Sequence, residues 1–182
     1  HIIDLSYLEK ENLYLEGTGS LVLDHEFKIA YAVISPRTSL EALTIFEAKT
    51  GYKVVSFSAF DRAQQPIYHT NVVMALSTTS VVICLEVIPK KDQEYLLQNF
   101  AKSKKEVIEI SLQQLENFAG NMLCLKNNQN NYMMVMSLTA FDALNVAQLN
   151  ALKKHHQILT IPIPTIEKIG GGSVRCMMAE LF

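Results

Sequence analysis

Three residues whose side chains can perform nucleophilic chemistry lie close to four similar stretches of the sequence. In each stretch a small or amide residue enters an apolar, strand-like segment, and the spacings between these positions are 52, 50 and 52 residues. The four positions are Gly19, Asn71, Asn121 and Ser173. Glu16, His69 and Cys176 each lie within three residues of one of them. A carboxylate, an imidazole and a thiol brought together can act as an orienting or charge-binding group, an acid/base and a nucleophile.

Each of these residues also has an ordinary structural explanation. His69 could be a surface or satisfied core histidine, and Glu16 could be a helix or loop carboxylate. The glycines at 170–172, which precede Cys176, could form nothing more than a flexible turn. The repeat favours the functional interpretation, because units related by rotation about an axis would bring all three side chains together near that axis.

The intervals between the repeated positions share one order of elements, strand–strand–helix–strand. The sequence of the first interval predicts strands at 20–23 and 28–34, a helix from the capping-box pattern at 38–41 to Gly51, and a strand at 52–57. The second predicts strands at 72–76 and 81–87, a helix over 92–100 and a strand at 106–110. The third predicts strands at 122–125 and 132–136, a helix from near Asn145 and a strand at 157–161.

A β-β-α-β unit of about 50 residues cannot bury its own apolar face, so the three units must stack side by side or around an axis. Strands are also predicted at 2–3 and at 177–181, which would leave sheet edges uncovered at both ends. We therefore expect residues 1–182 to be the C-terminal part of a single larger domain.

Composition excludes several classes of protein. Apolar residues make up 49% and charged residues 19% of the chain, which excludes intrinsic disorder. The net charge of −2 offers no basic field for nucleic acid. The apolar run at 72–88 carries polar residues at 77–80, so two buried strands are predicted there and no membrane span.

The three cysteines have no metal-ligand spacing. Cys84 and Cys124 stand in apolar, strand-like segments and are predicted to be buried free thiols. Together the cysteines indicate a reducing, cytoplasmic setting.

The motifs at 15–17 (Leu-Glu-Gly), 69–71 (His-Thr-Asn) and 170–177 (Gly-Gly-Gly-Ser-Val-Arg-Cys-Met) resemble those of the guanidino-modifying, or pentein, superfamily. Its members include arginine deiminases, amidinotransferases and dimethylargininases. The set looks closest to the citrulline-hydrolase branch, often labelled simply amidinotransferase. The resemblance implies a pseudo-symmetric α/β propeller of about five β-β-α-β modules, of which this chain carries about three and lacks the N-terminal ones.

The resemblance also implies a role for individual residues. Cys176 would attack the central carbon of a guanidine or ureido group. His69 would protonate the leaving amine and then activate water. Glu16 would bind the planar N–H groups of the substrate. Three further residues are implied to contact the substrate: Arg37, which would bind the substrate's α-carboxylate, Asn71 and Gly172. For Arg37, an ordinary surface arginine is an equal alternative.

Two departures from the deiminase pattern bear on the substrate. Asn71 stands where deiminases have Asp, and Gly17-Thr18-Gly19 replaces Gly-Gly-Asp. Losing two carboxylates weakens affinity for a cationic guanidinium and favours the neutral ureido group of citrulline. The expected activity is therefore hydrolysis of a C–N bond of citrulline or a related compound, through a covalent thio-intermediate and without metal or organic cofactor.

Two other classes of function remain open. Amidinotransferase or arginine-deiminase-type activity would use the same intermediate with a different acceptor or substrate. A non-catalytic binding member of the fold is the second rival, although such a protein has no need of Glu16, His69 and Cys176 together. The expected partner is a small guanidino or ureido molecule, with neither nucleic acid nor membrane, and a homo-oligomer is left open.

Overall fold

A computed structural model describes residues 2–179, which form three β-β-α-β modules. The strands are β1 (Leu21–Asp24), β2 (Ile29–Val33), β3 (Lys53–Phe57), β4 (Met74–Leu76), β5 (Ser80–Ile83), β6 (Glu106–Glu109), β7 (Leu123–Lys126), β8 (Tyr132–Ser137) and β9 (Gln157–Ile161). The helices are α1 (Gly17–Ser20), α2 (Leu40–Thr50), α3 (Thr70–Val73), α4 (Lys90–Lys102), α5 (Leu112–Glu116), α6 (Leu138–Ala143), α7 (Val146–Lys153) and α8 (Pro164–Gly170). Short 3₁₀ helices span Ser6–Glu11, Leu85–Val87 and Val174–Met177.

Each module contains one three-stranded sheet of the same topology. The first two strands pair antiparallel, and the second and third pair parallel with a crossover helix between them. The first strands, β1, β4 and β7, are neighbours, so the sheets lie side by side around a common axis with these strands innermost. This arrangement confirms the predicted α/β propeller organisation and its repeat.

The modules hold together because the crossover helices α4 and α7 of the second and third modules also pack on the preceding sheet. Phe100 of α4 lies against Tyr31 of β2, with ring centroids 5.0 Å apart, and α7 contacts β6 in the same way. A single apolar cluster consequently extends through all three modules. No module could form this core by itself, as the sequence predicts.

A buried ion pair joins the first two modules. Lys105 Nζ lies 3.0 Å from Asp24 Oδ2, and the side chains are 0% and 3% exposed. The same ammonium group donates to the Thr78 carbonyl at 2.9 Å. Because burial removes both charges from water, each depends on the other.

The second module departs from its predicted elements. Residues 70–73 form the helical turn α3, so β4 has only three residues, and the segment predicted as strand 81–87 ends at Ile83. A 3₁₀ helix, Leu85–Val87, follows it. The strand ends where its parallel partner β6 ends, at the pair Ile83–Glu109.

The strands predicted at the two ends are wrong. Residues 2–5 carry no regular structure and precede a 3₁₀ helix. Met177 belongs to the 3₁₀ helix Val174–Met177, and residues 178–179 carry no regular structure. Residues 180–181 of the predicted strand lie outside the described residues. A local glycine-rich turn explains the second error, because it directs the chain into a tight helical turn that apolar composition does not reveal.

The capping box predicted at 38–41 is also wrong. Ser39 does precede α2, but its hydroxyl accepts the Tyr14 N–H at 2.8 Å and makes no bond to the helix. Thr38 donates to the Ser20 hydroxyl. Reciprocal capping boxes form instead at Ser111 of α5 and Asn145 of α7.

Across residues 2–179 no helix has the length and apolar character needed to cross a bilayer.

Replacing Lys105 by Met should leave Asp24 buried without its cation and lower the free energy of unfolding by about 3–5 kcal/mol. The double variant Lys105→Met/Asp24→Asn should recover most of this loss, because it removes both charges. Urea unfolding would measure both effects. The exposed pair Lys154–Glu106 provides the control, since Lys154→Met should cost less than about 1 kcal/mol. An equal cost for the two single variants would contradict the structural role of the buried pair.

Candidate active site

The residues singled out by the repeat lie at one end of the inner strands. Helical turns α1 and α3 contact each other, and each leads directly into an inner strand. Glu16 is the residue before α1, and His69 is the residue before α3. Cys176 belongs to the 3₁₀ helix Val174–Met177, which contacts β8. Each site residue is therefore positioned by a tight helical turn rather than by a long loop.

Glu16, His69 and Arg37 form one group of contacts. His69 Nε2 lies 2.7 Å from Glu16 Oε2, and since the carboxylate accepts, Nε2 carries the proton. Arg37 Nη1 lies 3.6 Å from the same oxygen. The Arg37 guanidinium also lies over the Tyr68 ring, which packs on the His69 ring at 4.9 Å. The imidazole is thus held between a carboxylate and an aromatic ring.

Gly19 creates the space that the His69 ring occupies. A Cβ at this position would lie 2.6 Å from Cε1 of the imidazole, closer than Cβ contacts occur. The absence of a side chain at Gly19 is therefore a requirement for the observed position of His69.

Cys176 belongs to a second group of contacts. Asn121 Nδ2 donates to the Cys176 sulfur at 3.2 Å and to the Asn71 carbonyl at 2.8 Å. Its amide is buried, with the residue 2% exposed. On the other side, a Cβ on Gly172 would lie 3.3 Å from the sulfur, so the glycine turn packs directly against the thiol. A pocket of about 160 Å³ opens at Cys176 and is lined in part by Tyr68.

Two links connect these groups. The Asn71 side chain donates to the Thr18 carbonyl at 3.2 Å, which ties α3 to α1. Tyr68 contacts the His69 ring and also lines the pocket at Cys176. Within residues 2–179 no hydrogen bond or ion pair joins Cys176 directly to His69 or Glu16.

The predicted site residues are therefore brought together in part. Glu16, His69 and Arg37 contact one another, and Gly172 contacts Cys176. Asn71 is buried and its side chain bonds α1, while its carbonyl accepts from the amide that holds the sulfur. The roles of all six in binding or catalysis stay predictions.

Asn121 and Tyr68 are the residues that sequence reasoning missed at this site. Asn121 stands at one of the four repeat positions, so the spacing that selected its neighbours could also have selected it. A lone amide suggests no particular chemistry, and only its contact with sulfur identifies it. Tyr68 adjoins His69 in sequence and carried no signal of its own.

No group of three or more His, Cys, Asp or Glu residues within the described part of the chain could hold a metal ion.

Comparison with protein families gives a match over the whole chain. The model described as N,N-dimethylarginine dimethylhydrolase, eukaryotic, matches residues 1–182. No curated protein matches the chain.

Solved structures of guanidino-modifying enzymes share the fold. The N-terminal domain of ArgZ, an arginine dihydrolase from cyanobacteria, covalently bound to a reaction intermediate, aligns with a TM-score of 0.72 at 18% identity. The alignment covers 94% of this chain and 61% of that one. AgrE in complex with L-arginine gives 0.69 at 19% identity, over 91% and 23% of the chains. SxtG, an amidinotransferase from Microseira wollei, gives 0.56 at 10% identity, over 87% and 42%.

The shared fold confirms the predicted pentein architecture, and the family match over residues 1–182 confirms the superfamily. The chain spans about three fifths of the length of the ArgZ domain that it matches.

The three thiols should differ in reactivity. Cys176 is exposed, Cys124 is partly buried, contrary to its prediction, and Cys84 is buried. Burial raises the pKa of Cys84 to about 11, so little thiolate exists there at pH 8. Brief treatment with an amidine-bearing alkylating agent should label Cys176 first, Cys124 more slowly and Cys84 least. Peptide mapping would measure the order, and earlier labelling of Cys84 would contradict the access seen in the structure.

Proposed function

The chain belongs to the N,N-dimethylarginine dimethylhydrolase family of eukaryotic type, and on that premise we propose a cysteine-dependent hydrolase. Its reaction is cleavage of a C–N bond in citrulline or a related ureido or guanidino compound, through a covalent thio-intermediate. The observation that carries the proposal is the convergence of three modules on one site. There, the Glu16–His69 hydrogen bond lies at the same end of the inner strands as the amide-held thiol of Cys176.

The chemistry follows from these positions. The Cys176 thiol gives its proton to His69 Nδ1, because Nε2 donates to Glu16, and the resulting thiolate attacks the central carbon of the substrate. The C–N bond breaks as the imidazolium passes that proton from Nδ1 to the leaving amine. Water, deprotonated by the same imidazole, then attacks the thio-intermediate and releases the thiolate. Glu16 holds the imidazole through Oε2, which leaves Oε1 to accept a substrate N–H. The Asn121 N–H stabilises the negative charge on sulfur.

Charge compensation at Glu16 supports a neutral substrate. Arg37 and His69 both contact Glu16 Oε2, so the carboxylate already has a cation and a hydrogen-bond donor beside it. A guanidinium would have to compete with Arg37, whereas a ureido group brings no charge. The Arg37 side chain is half exposed and can turn to the α-carboxylate of an amino-acid substrate.

The family match supports a second candidate substrate, a methylated arginine. Hydrolysis of N,N-dimethylarginine would use the same thiol, imidazole and carboxylate and would release dimethylamine. Amidino transfer would differ only in the group that accepts the intermediate. A non-catalytic role has least support, because the site keeps its nucleophile, acid/base and carboxylate.

A substrate panel tests the proposal. The complete protein is incubated separately with citrulline, N,N-dimethylarginine, arginine and agmatine, and ammonia, free amines and ornithine are measured. Release of ornithine and ammonia from citrulline is the expected result. Release of dimethylamine would favour the second candidate. Absence of turnover with every compound would overturn the hydrolase proposal.

Replacing His69 by Ala should reduce turnover at least 100-fold, because the leaving amine loses its proton donor. The fold should persist, since the ring contributes to the site and not to the main apolar cluster. His155→Ala is the matched control, because His155 pairs with Glu106 on the surface and should leave turnover unchanged. Steady-state kinetics on the preferred substrate would decide; more than about a tenth of the wild-type rate in His69→Ala would remove this residue from the mechanism.

Gly19→Ala should lower kcat/KM at least tenfold without contacting substrate, because the added Cβ must displace the His69 ring. The control is Gly51→Ala at the end of α2, where φ is +73° and nothing lies within 4 Å of the new Cβ. That variant strains the backbone but should keep wild-type activity. Equal activities of the two variants, measured in the same assay, would show that the close approach of Gly19 to His69 is unimportant.

A further inference from the structure

We propose that Glu167, which the mechanism above does not use, is a positioning residue for Cys176. Its carboxylate and its backbone carbonyl hold the glycine turn that leads to the thiol, and Glu167 itself does not line the pocket at Cys176. The inference rests on the proposed function only in taking Cys176 as the reacting thiol.

Both carboxylate oxygens of Glu167 accept hydrogen bonds from hydroxyl groups. Ser173 donates to Oε1 at 2.7 Å, and Thr139 of α6 donates to Oε2 at 2.6 Å. Glu167 is 7% exposed and Ser173 is fully buried. A buried carboxylate in such a setting fixes its partners firmly, because charge-assisted hydrogen bonds are stronger than neutral ones.

The backbone of Glu167 holds the other end of the same turn. Its carbonyl accepts the Gly171 N–H at 3.2 Å, and Gly171 adopts a φ of +68°. The Ser173 carbonyl in turn accepts the Cys176 N–H at 3.0 Å. Glu167 therefore bonds the glycine turn through Gly171 and the residue after the turn, Ser173. Ser173 in turn bonds the backbone of Cys176, which carries the thiol.

Glycine makes this support necessary. Three consecutive glycines permit many backbone conformations, yet the thiol must keep its distance to Asn121 and to the substrate carbon. Thr139 belongs to α6, which packs on the third sheet, so Glu167 transfers the rigidity of that sheet to the turn.

Glu167 is ionised at neutral pH in this environment. Burial alone raises the pKa of its carboxyl, but hydrogen bonds from Ser137, Thr139 and Ser173 outweigh it and lower the pKa below the ordinary value. As a carboxylate it accepts from all its partners. It does not line the pocket at Cys176, which distinguishes positioning from contact with substrate.

The test compares isosteric variants in the complete protein. Glu167→Gln removes the charge and one accepting oxygen. Ser173→Ala removes the hydroxyl that ties the end of the turn to Glu167. Both should lower kcat about 10- to 100-fold with KM within twofold of wild type, because a displaced thiol binds substrate but reacts poorly. Hydrogen exchange of the peptide spanning 171–178 should be at least tenfold faster.

Matched controls separate this role from general stability. Glu47→Gln removes another helix carboxylate, one that accepts the Val54 N–H on α2 and β3, and should leave all readouts unchanged. Thr139→Ser keeps the hydroxyl and should keep the wild-type kcat. Thr139→Val removes the hydroxyl and should lower kcat as Glu167→Gln does.

Several outcomes would overturn the inference. It fails if folded Glu167→Gln retains wild-type kcat and exchange, or if only KM rises, which would indicate a role in binding. If Glu167→Gln does not fold, Ser173→Ala and the Thr139 pair decide in the same way. Wild-type protein without turnover would overturn the proposed function, while the exchange measurement would still judge the role of Glu167.

Discussion

The stability of each module depends on burial that only its neighbour provides. The crossover helix of one module fills the space between its own sheet and the preceding one, as the Tyr31–Phe100 contact shows. Because hydrophobic burial is the dominant favourable term in folding, this packing fixes the rotation from module to module. Inner strands then meet side by side, and the turns that lead into them collect at one end. The site is a consequence of how the modules bury their apolar faces.

Polar contacts between modules refine that arrangement close to the site. The Thr70 hydroxyl accepts the Val33 N–H and donates to the Ser20 carbonyl, so it joins α3 to the end of β2 and to the end of α1 in the first module. The residues on either side of Thr70 are His69 and Asn71, which reach Glu16 and Thr18. Buried polar groups of this kind tolerate little displacement, because a lost partner leaves an unsatisfied group. Precision at the imidazole therefore comes from the same bonds that lock the modules together.

The sequence predicts an element correctly where its periodicity and its polar boundaries are clear. The prediction fails where contacts between residues far apart in the sequence determine the local structure. The strand at 157–161 is predicted with its observed bounds, because polar residues precede it and a proline follows. A four-residue turn such as α3 has no periodicity, so its last two residues are predicted as the start of a strand. The role of Ser39 depends on Tyr14, far away in the sequence. At the candidate site, spacing selects Glu16, His69 and Cys176 as candidates, whereas an amide or a second carboxylate becomes a candidate only through its contacts.

The two carboxylates to which we assign different roles, Glu16 and Glu167, differ in their surroundings. Glu16 is half exposed and lies against an arginine and a histidine, and the half-exposed Arg37 can give way to a group of a substrate while the imidazole stays in place. Glu167 is buried and lies against hydroxyl groups that belong to the fold, so its partners cannot be replaced. An exposed carboxylate beside an exposed arginine suits recognition, since water screens the ion pair and it costs little to break. A buried carboxylate among fixed hydroxyls suits support, since breaking any contact leaves a charge without compensation. In the proposed mechanism recognition therefore lies on the first module and rigidity on the third, whose strand β8 also contacts the 3₁₀ helix that carries the thiol.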